Sequence, residues 1–337
     1  MKKITIHDVA KEAGVSSATV SRAICGSKEI GEKTREQVLR ICRDLGYSSN
    51  YQSPVTRSTQ TGVVGLILPA VNDPSLGAMA VALEQKLRSQ GYSLVVGNSF
   101  ADPEQEKALF DRMLAQRVEG IFLVPGSAET RNSLAFQLEK VQTVFLNENL
   151  MELPESYVTT DLRRGAALGV EYLHSLGHRE ILLLGSNREN PTLQLLADGF
   201  STACDKYGIK TAYLDNPSKE VSIEAGYHLA RRLFRQQKQW TAIFSVSDLL
   251  AIGALQSAKE AGVSIPQDIS ILGFGDCAYS SLPQVSLTTL ALPVQSMVTA
   301  AVDVMMELLH ADADGYSHRI YAPRLVERST CGRKEQI

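Results

Sequence analysis

The sequence predicts a small all-α head, a short linker and a larger two-lobed α/β core. The first 47 of the 337 residues carry three amphipathic helical patterns. From Val63 onward, short apolar runs alternate with longer amphipathic stretches, a pattern typical of βαβ units around a parallel sheet. A polar segment, SSNYQSPVTRSTQTG, separates the two patterns. We therefore predict a head at 1–47, a linker at 48–61 and a core at 62–332.

The head begins with two short helices joined by a turn. Apolar residues recur on one face of the first helix at Ile6, Val9, Ala10 and Ala13. Gly14 then suits the left-handed conformation that ends a helix, and Ser16 offers an N-cap oxygen to the second helix. Val20 and Ile24 should face inward because they lie four residues apart.

The outward face of the second helix carries short side chains and one cation. These residues are Ser17, Ala18, Ser21 and Arg22. A braced helix of this kind fits the major groove of DNA, so the head is predicted to be a helix-turn-helix domain. A third helix follows, with Thr34, Val38, Ile41 and Leu45 on one face and Gly46 at its end.

Charge is distributed unevenly along the chain. The whole chain has a net charge of −3, yet residues 1–57 hold ten Lys or Arg against six Asp or Glu, a net of +4. A basic head on an acidic body favours a local DNA contact. A solvated charged surface explains the same count equally well, so charge alone does not decide between them.

Composition excludes several classes of protein. The five cysteines (25, 42, 204, 277 and 331) form no CxxC pair, so neither a zinc site nor a disulfide framework is expected, which fits a reducing cytoplasm. Cys25 and Cys42 are either redox sensors or, as we favour, inert small residues. The start, MKKITIHD, does not resemble a signal peptide, and no apolar run approaches the ~18–20 residues of a membrane span.

No catalytic pattern stands out either. HExxH, GxSxG and Walker motifs are missing from the sequence. We expect no enzyme activity, no cofactor and no metal.

The core pattern resolves into candidate strands and helices. The strands are 63–68, 94–97, 121–124, 143–146, 181–184, 242–244 and 269–273, and the helices include 79–88, 103–116, 162–176, 193–207, 223–235 and 249–261. Near 158–161 and 288–293 a predicted strand leads into the next element without the turn residues that usually separate neighbouring elements. Two lobes joined by several chain crossings explain both places. We assign lobe 1 to 62–159 and 292–321, and lobe 2 to 160–291 and 322–332, with ligands expected between them.

A series of motifs occurs in order from residue 4 to residue 332. They are DVAKEAGVS, ATVSRAI, EKTREQVLRICRDLGY, VEGIF, GHREI, SDLLAIGAL, GVSIPQDISILGF, LTTL and RLVERST. Together they resemble the lac/gal repressor family of bacterial transcriptional regulators. The resemblance implies a helix-turn-helix head, a hinge and a core like that of periplasmic sugar-binding proteins. It also implies a homodimer on a near-palindromic operator, with a small molecule in the cleft altering DNA affinity.

The same resemblance assigns DNA contacts. Ser17, Ala18 and Arg22 match positions that touch base edges, and Arg22 can donate two hydrogen bonds to one guanine. Positions that contact the DNA backbone in the family correspond to Thr5, Ser16, Thr19, Ser21 and Thr34, although Ser16 also serves as a cap. His7 matches a DNA-contacting position, and Arg57 in the linker completes the expected set. Cys25 replaces the asparagine common in the family.

The hinge departs from the family pattern. The residues at the positions of the opening proline and of the leucine that wedges into the minor groove are Ser49 and Thr56, and a proline stands instead at Pro54. A proline inside a helix costs about 3 kcal/mol. We hypothesise that the hinge helix is absent or shortened, and that Thr56→Ala barely changes operator binding. An ordered helix over 50–58 with a kinked central base step would contradict this.

Polar residues at the cleft positions are candidates for effector binding. They are Asn72, Asn147, Asp161, Thr192, Ser247, Asp248 and Asp276. Several have a second interpretation as helix caps or first-turn acids, notably Asp161 and Asp248. The alternatives stay open at this point.

Four other cleft positions differ from the family. Leu196, Gly275 and Leu292 stand where an arginine, an aspartate and a glutamine are usual, and Leu76 replaces an aromatic wall. We expect a less polar cleft, which binds a smaller or more apolar effector, or binds none and leaves regulation constitutive or dependent on a partner protein. The tail RSTCGRKEQI contains no leucine heptad, so a dimer through the core is expected.

Overall fold

A computed structural model describes residues 6–24, 30–44, 61–126, 140–146, 155–187, 190–216, 221–235, 240–310 and 315–334, together with Thr130, Leu134 and Leu138. The expected DNA contacts Thr5 and Arg57, the effector candidate Asn147, Cys25 and hinge residues 48–60 lie outside these residues. The chain divides into two compact units, Met1–Gln60 and Thr61–Ile337. Each is described separately.

The head contains three helices in its described part. They are α1 (Ile6–Ala13), α2 (Ser17–Ile24) and α3 (Glu32–Asp44). Their apolar faces meet in one small core that includes Val9, Val20 and Val38. The spacing of these residues in the sequence predicted the inward faces of all three helices.

Lobe 1 is built around a six-stranded sheet. Its strands are β1 (Val63–Leu68), β2 (Ser93–Asn98), β3 (Gly120–Leu123), β4 (Gln142–Leu146), β5 (Ser156–Thr160) and β11 (His318–Tyr321), in the order β11-β5-β4-β3-β1-β2. All the neighbouring pairs in this sheet are parallel. Its helices are α4 (Pro74–Ser89), α5 (Pro103–Ala115) and α10 (Val294–Leu309). The buried faces of α4 and α10 share one apolar cluster with this sheet.

Lobe 2 repeats this architecture. Its strands are β6 (Glu180–Ser186), β7 (Lys210–Asp215), β8 (Ala242–Ser245), β9 (Ser270–Gly275), β10 (Thr289–Ala291) and β12 (Arg324–Val326), in the order β12-β10-β9-β8-β6-β7. Only β12 runs antiparallel to its neighbour. Its helices are α6 (Leu162–Ser175), α7 (Pro191–Tyr207), α8 (Ile223–Phe234) and α9 (Asp248–Glu260).

The chain passes between the two sheets three times. The crossings follow β5, β10 and β11. Because strands of a parallel sheet end at one common edge, each lobe presents its loops and helix N-termini at the carboxyl edge of its sheet. The two carboxyl edges meet where a Cβ placed on Gly275 of lobe 2 would lie 3.6 Å from Ser75 Oγ of lobe 1.

The fold class is confirmed, with several elements that our candidate strands and helices omitted. The omitted elements are β7, β11, β12 and α10. In β7 the residues KTAYLD do not form an apolar run, and the strand lies at a sheet edge with exposed positions. Among the described residues, no helix is both long enough and apolar enough to cross a membrane.

Candidate functional site

The turn between α1 and α2 has the geometry that the sequence predicts. Gly14 adopts a positive φ of 66°, and Val15 N donates to Ala10 O at 3.1 Å, which closes the end of α1. Ser16 Oγ accepts from Thr19 N at 3.1 Å, so it caps the start of α2. These local contacts fix the angle at which α2 leaves α1.

Buried side chains hold α2 against the rest of the head. Val20 and Ala23 are fully buried, and they pack with Val9, Ala13 and Val38. Gln37 Nε2 on α3 also donates to Ala13 O at 3.5 Å, which ties α3 to the end of α1. One face of α2 is therefore used for packing, and the other is left for contacts outside the head.

Several of the expected DNA-contacting residues lie among the described residues of the head. Arg22 is exposed in the last turn of α2, and Ser17, Thr19 and Thr34 are half-buried. Ser16 is exposed, and its hydroxyl lies 2.9 Å from Thr19 Oγ1. His7, Ala18 and Ser21 lie in helices, with only their backbone described. The geometry can present one guanidinium and several hydroxyl groups to a groove.

Helix caps occupy several of the polar positions at the carboxyl edges of the core sheets. Asp161 Oδ1 accepts from Arg164 N at 2.9 Å, and Ser247 Oγ accepts from Leu249 N at 3.2 Å. In lobe 1, Asp73 caps α4 in the same way, and the neighbouring Asn72 is exposed. Thr192 lies half-buried in the first turn of α7, where Asn190 is the cap. A cap keeps lone pairs that a ligand can still use.

Asp248 has a different environment from these caps. Its side chain is 2 % exposed, and Oδ2 accepts from Cys277 N at 2.8 Å and from Ser280 Oγ at 2.7 Å. Its Oδ1 accepts from Thr289 Oγ1 at 2.5 Å. Burial raises the pKa of this carboxyl, the nearby Asp276 adds to the rise, and the three hydrogen bonds oppose it.

The assignment of Asp248 to effector binding remains a prediction, and the structure shows which protein groups hold its carboxylate. Both of its oxygens are engaged by the protein, and they join α9 to the turn at 277–281 and to β10. Gly273 lies so close beneath Oδ1 that a Cβ there would clash with it. Asp248 is therefore a positioning residue that holds the carboxyl edge of lobe 2 together.

Asp276 is also bound within the protein, although less completely. Its Oδ1 accepts from Arg328 Nη2 at 2.7 Å, and Arg328 Nη1 donates to Leu287 O at 2.7 Å. Asp276 has a positive φ of 57°, so the turn after β9 carries some backbone strain. Its carboxylate is oriented by the arginine and keeps its second oxygen for another contact.

The side chain of Leu196 corrects a further expectation. It is 1 % exposed and belongs to the apolar core of lobe 2, so it does not form a wall of the cleft. Leu76 and Leu292 are half-buried and pack against the cores of lobe 1 and lobe 2, respectively. Leu196 therefore does not contribute to the polarity of the cleft, and three of the four positions remain for that prediction.

Residues that sequence reasoning missed complete this edge. Ser280, Thr289 and Arg328 are the partners of the two aspartates, and Ser75 is the lobe 1 residue nearest Gly275. The motifs LTTL and RLVERST contain Thr289 and Arg328, but nothing in their spacing shows which carboxylate they meet. Among the described residues, no group of three or more His, Cys, Asp or Glu side chains could hold a metal ion.

Two family models match different parts of the chain. Residues 5–50 match the bacterial regulatory proteins of the lacI family, and residues 170–331 match a periplasmic binding protein-like domain. The first match coincides with the helical head, and the second covers most of lobe 2.

Individual proteins match along nearly the full length. The transcriptional regulator MalR of Streptomyces coelicolor is 30 % identical over 335 residues, 96 % of each chain. The transcriptional repressor CytR of Escherichia coli strain K12 is 27 % identical over 326 residues, 97 % of this chain and 96 % of CytR. A crystal structure of the Lac repressor dimer bound to operator and the anti-inducer ONPF superposes with a TM-score of 0.77 at 25 % identity, covering 98 % of this chain and 99 % of that one.

The contrast between Asp248 and Asp161 predicts different stability losses. Asp248→Ala leaves one N–H and two hydroxyl groups buried without an acceptor, and should lower the free energy of unfolding by about 3 kcal/mol or more. Asp161→Ala removes one exposed cap and should cost about 1 kcal/mol. Urea denaturation of both variants measures the difference. Equal losses would show that Asp248 is a cap like Asp161.

Proposed function

The chain belongs to the lacI family of bacterial regulatory proteins, and from that premise we propose that it represses transcription by binding an operator as a homodimer, with a small molecule between its lobes changing its DNA affinity. It is a DNA-binding transcriptional regulator, like its relatives MalR and CytR, and it is not an enzyme. The observation that carries the DNA contact is α2, which is fixed on one face by a buried core and carries exposed Arg22 on another.

Arg22 supplies the base readout in this proposal. A guanidinium that donates to O6 and N7 of one guanine contributes about 1–3 kcal/mol of discrimination, whereas the short side chains of Ser17 and Ala18 discriminate little. Ser16, Ser21 and Thr34 fix the register through the phosphates. The Lac repressor dimer, which is bound to operator in its crystal structure, supports the same mode for this chain.

An apolar surface on lobe 1 supports the dimer. Val95 and Val96 are exposed on β2, which is an edge strand of its sheet, and Val81 is exposed on α4 beside it. Val71 is also exposed, and its N–H donates to Asn98 Oδ1 at the end of β2. Exposed apolar side chains on and beside an edge strand are typical of an interface. Two heads joined through this surface would read half-sites about one helical turn apart, roughly 34–36 Å.

The effector site is proposed where the carboxyl edges meet. Asn72 on lobe 1, and Thr192, Ser247 and the second oxygen of Asp276 on lobe 2, supply hydrogen-bonding groups around the approach of Ser75 to Gly275. A ligand that touches both lobes stabilises one arrangement of lobe 1 relative to lobe 2. A change in that arrangement can alter DNA affinity through the three chain segments that connect the lobes. The Lac repressor binds the small molecule ONPF together with operator, which supports a small-molecule ligand for this chain.

We place the protein in the cytoplasm, where its operator lies. Its thiols remain reduced there, which fits the burial of Cys42, Cys204 and Cys277.

Arg22→Ala should remove most of the specificity for the operator. The dimer loses one bidentate contact in each half-site, about 2–6 kcal/mol in total. Fluorescence anisotropy with operator and scrambled duplexes measures this, and Arg40→Ala on α3 is the control with the same charge change. An equal loss of affinity for both duplexes would show that Arg22 only binds phosphate.

Val96→Glu should dissociate the dimer, because it places a carboxylate within the proposed interface. Ile320→Glu is the matched control, since Ile320 is similarly exposed (47 % against 43 %) on β11 at the opposite edge of the same sheet. Sedimentation equilibrium should show a monomer for the first variant and a dimer for the second. A dimer that persists in Val96→Glu places the interface elsewhere.

An effector should bind once per protomer and change operator affinity. Calorimetry of the full chain against sugars, nucleosides and amino acids identifies the compound. Asn72→Ala and Thr192→Ala should each weaken the affinity for that compound about tenfold, because each variant loses one net hydrogen bond. If no compound binds, or if binding leaves operator affinity unchanged, the alternative of an effector-independent regulator, or one controlled by a partner protein, is favoured.

A further inference from the structure

A second concave site lies in lobe 2, on the side of α7 away from the core. We call it the outer groove and define it by Gln194, Asp198 and Ser201 of α7, with Ser186 at the end of β6 and Tyr213 of β7. The three α7 residues share one face because they are spaced by four and three positions. Leu196 points into the core from a different face. The groove encloses about 290 Å³.

The carboxylate of Asp198 is already paired within the protein. Asp198 Oδ2 accepts from Arg163 Nη2 at 3.0 Å, and its Oδ1 accepts from Gln194 Nε2 at 2.7 Å. The hydrogen bond from Arg163 holds the pKa of Asp198 below its usual value, so the carboxylate stays ionised and fixed. Asp198 therefore offers no unpaired charge to a cationic ligand, whereas a neutral ligand meets an oriented acceptor.

An aromatic ring forms one wall. Tyr213 is 37 % exposed, and buried Phe200 packs edge-on against it with ring centroids 5.9 Å apart and planes at 80°. Phe200 itself packs edge-on against Phe244 in the core. The ring of Tyr213 is therefore braced from behind and presents a fixed apolar surface beside hydroxyl and amide groups.

We propose that the outer groove is a second ligand site that takes one neutral sugar ring. Sugars combine apolar C–H faces with hydroxyl groups, and the groove offers a fixed aromatic wall, the hydroxyl group of Ser201, and the side chains of Gln194 and Asp198. The hydroxyl of Ser186 is buried and donates to Asp215 Oδ1 at 2.6 Å, so it belongs to the floor of the groove. The volume of the groove lies near the lower limit of small-molecule sites, about 300–1,000 Å³, which favours a monosaccharide over a longer sugar.

The outer groove shares no residue with the proposed cleft site, and the inference does not depend on an effector binding in the cleft. The two sites nevertheless share one helix, because Thr192 lies in the first turn of α7 and the groove residues follow on its next turns. Occupancy of the groove can therefore bias the position of α7 and, through it, the cleft edge of lobe 2.

Saturation-transfer NMR on the full chain tests the proposal with D-ribose, D-glucose and cellobiose as probes. We expect a monosaccharide to bind and cellobiose to bind more weakly. Tyr213→Ala should weaken binding about tenfold or more because the apolar wall is lost, whereas Tyr213→Phe should keep it within about threefold. Tyr316→Ala, which removes another exposed tyrosine (62 %), is the matched control.

The cleft variant Asn72→Ala separates this proposal from the effector proposal. Binding that is lost in Tyr213→Ala and kept in Asn72→Ala and Tyr316→Ala supports the outer groove, whether or not the cleft has a ligand. Binding that survives Tyr213→Ala, binding lost only in Asn72→Ala, or no binding of any probe to the unaltered chain would overturn it. Circular dichroism verifies that each variant is folded.

Discussion

The core depends on one covalent constraint: the chain passes between its two sheets three times. These connections follow β5, β10 and β11 and hold the two lobes together. The carboxyl edges of the two sheets then face each other at Ser75 and Gly275. A ligand held between these edges touches both lobes at once. Asp248 strengthens the constraint on the lobe 2 side, because it anchors β10 immediately before the second crossing.

The head works under a different constraint, its small size. A few apolar side chains must orient α2, so the Gly14 turn and the Ser16 cap contribute a large share of its local geometry. With Ser17 and Ala18 short, direct readout rests on few donors, and DNA shape has to supply the remainder. In the proposed homodimer each contact occurs twice, so a weakly discriminating helix can still select one operator.

The sequence predicted the features that depend on local spacing. Apolar periodicity located the faces of α1 and α2, and βαβ alternation indicated the core and its two lobes. The role of Asp248 was not predictable, because a first-turn acid looks the same whether it faces ligand, solvent or partners 29 to 41 residues away. Leu196 shows the same limit, since a family position does not fix which way a side chain packs. The outer groove could not be predicted, because its aromatic wall, Tyr213, lies on β7, a strand whose sequence contains no apolar run.

The central claim is that a symmetric pair of these heads selects one DNA sequence. Selection of bound duplexes from a random-sequence library with the full-length protein tests it most directly. We expect one enriched motif with two-fold symmetry, and with half-site centres about 10–10.5 base pairs apart. Enrichment of an asymmetric single site, or no enrichment over unselected DNA, would contradict it.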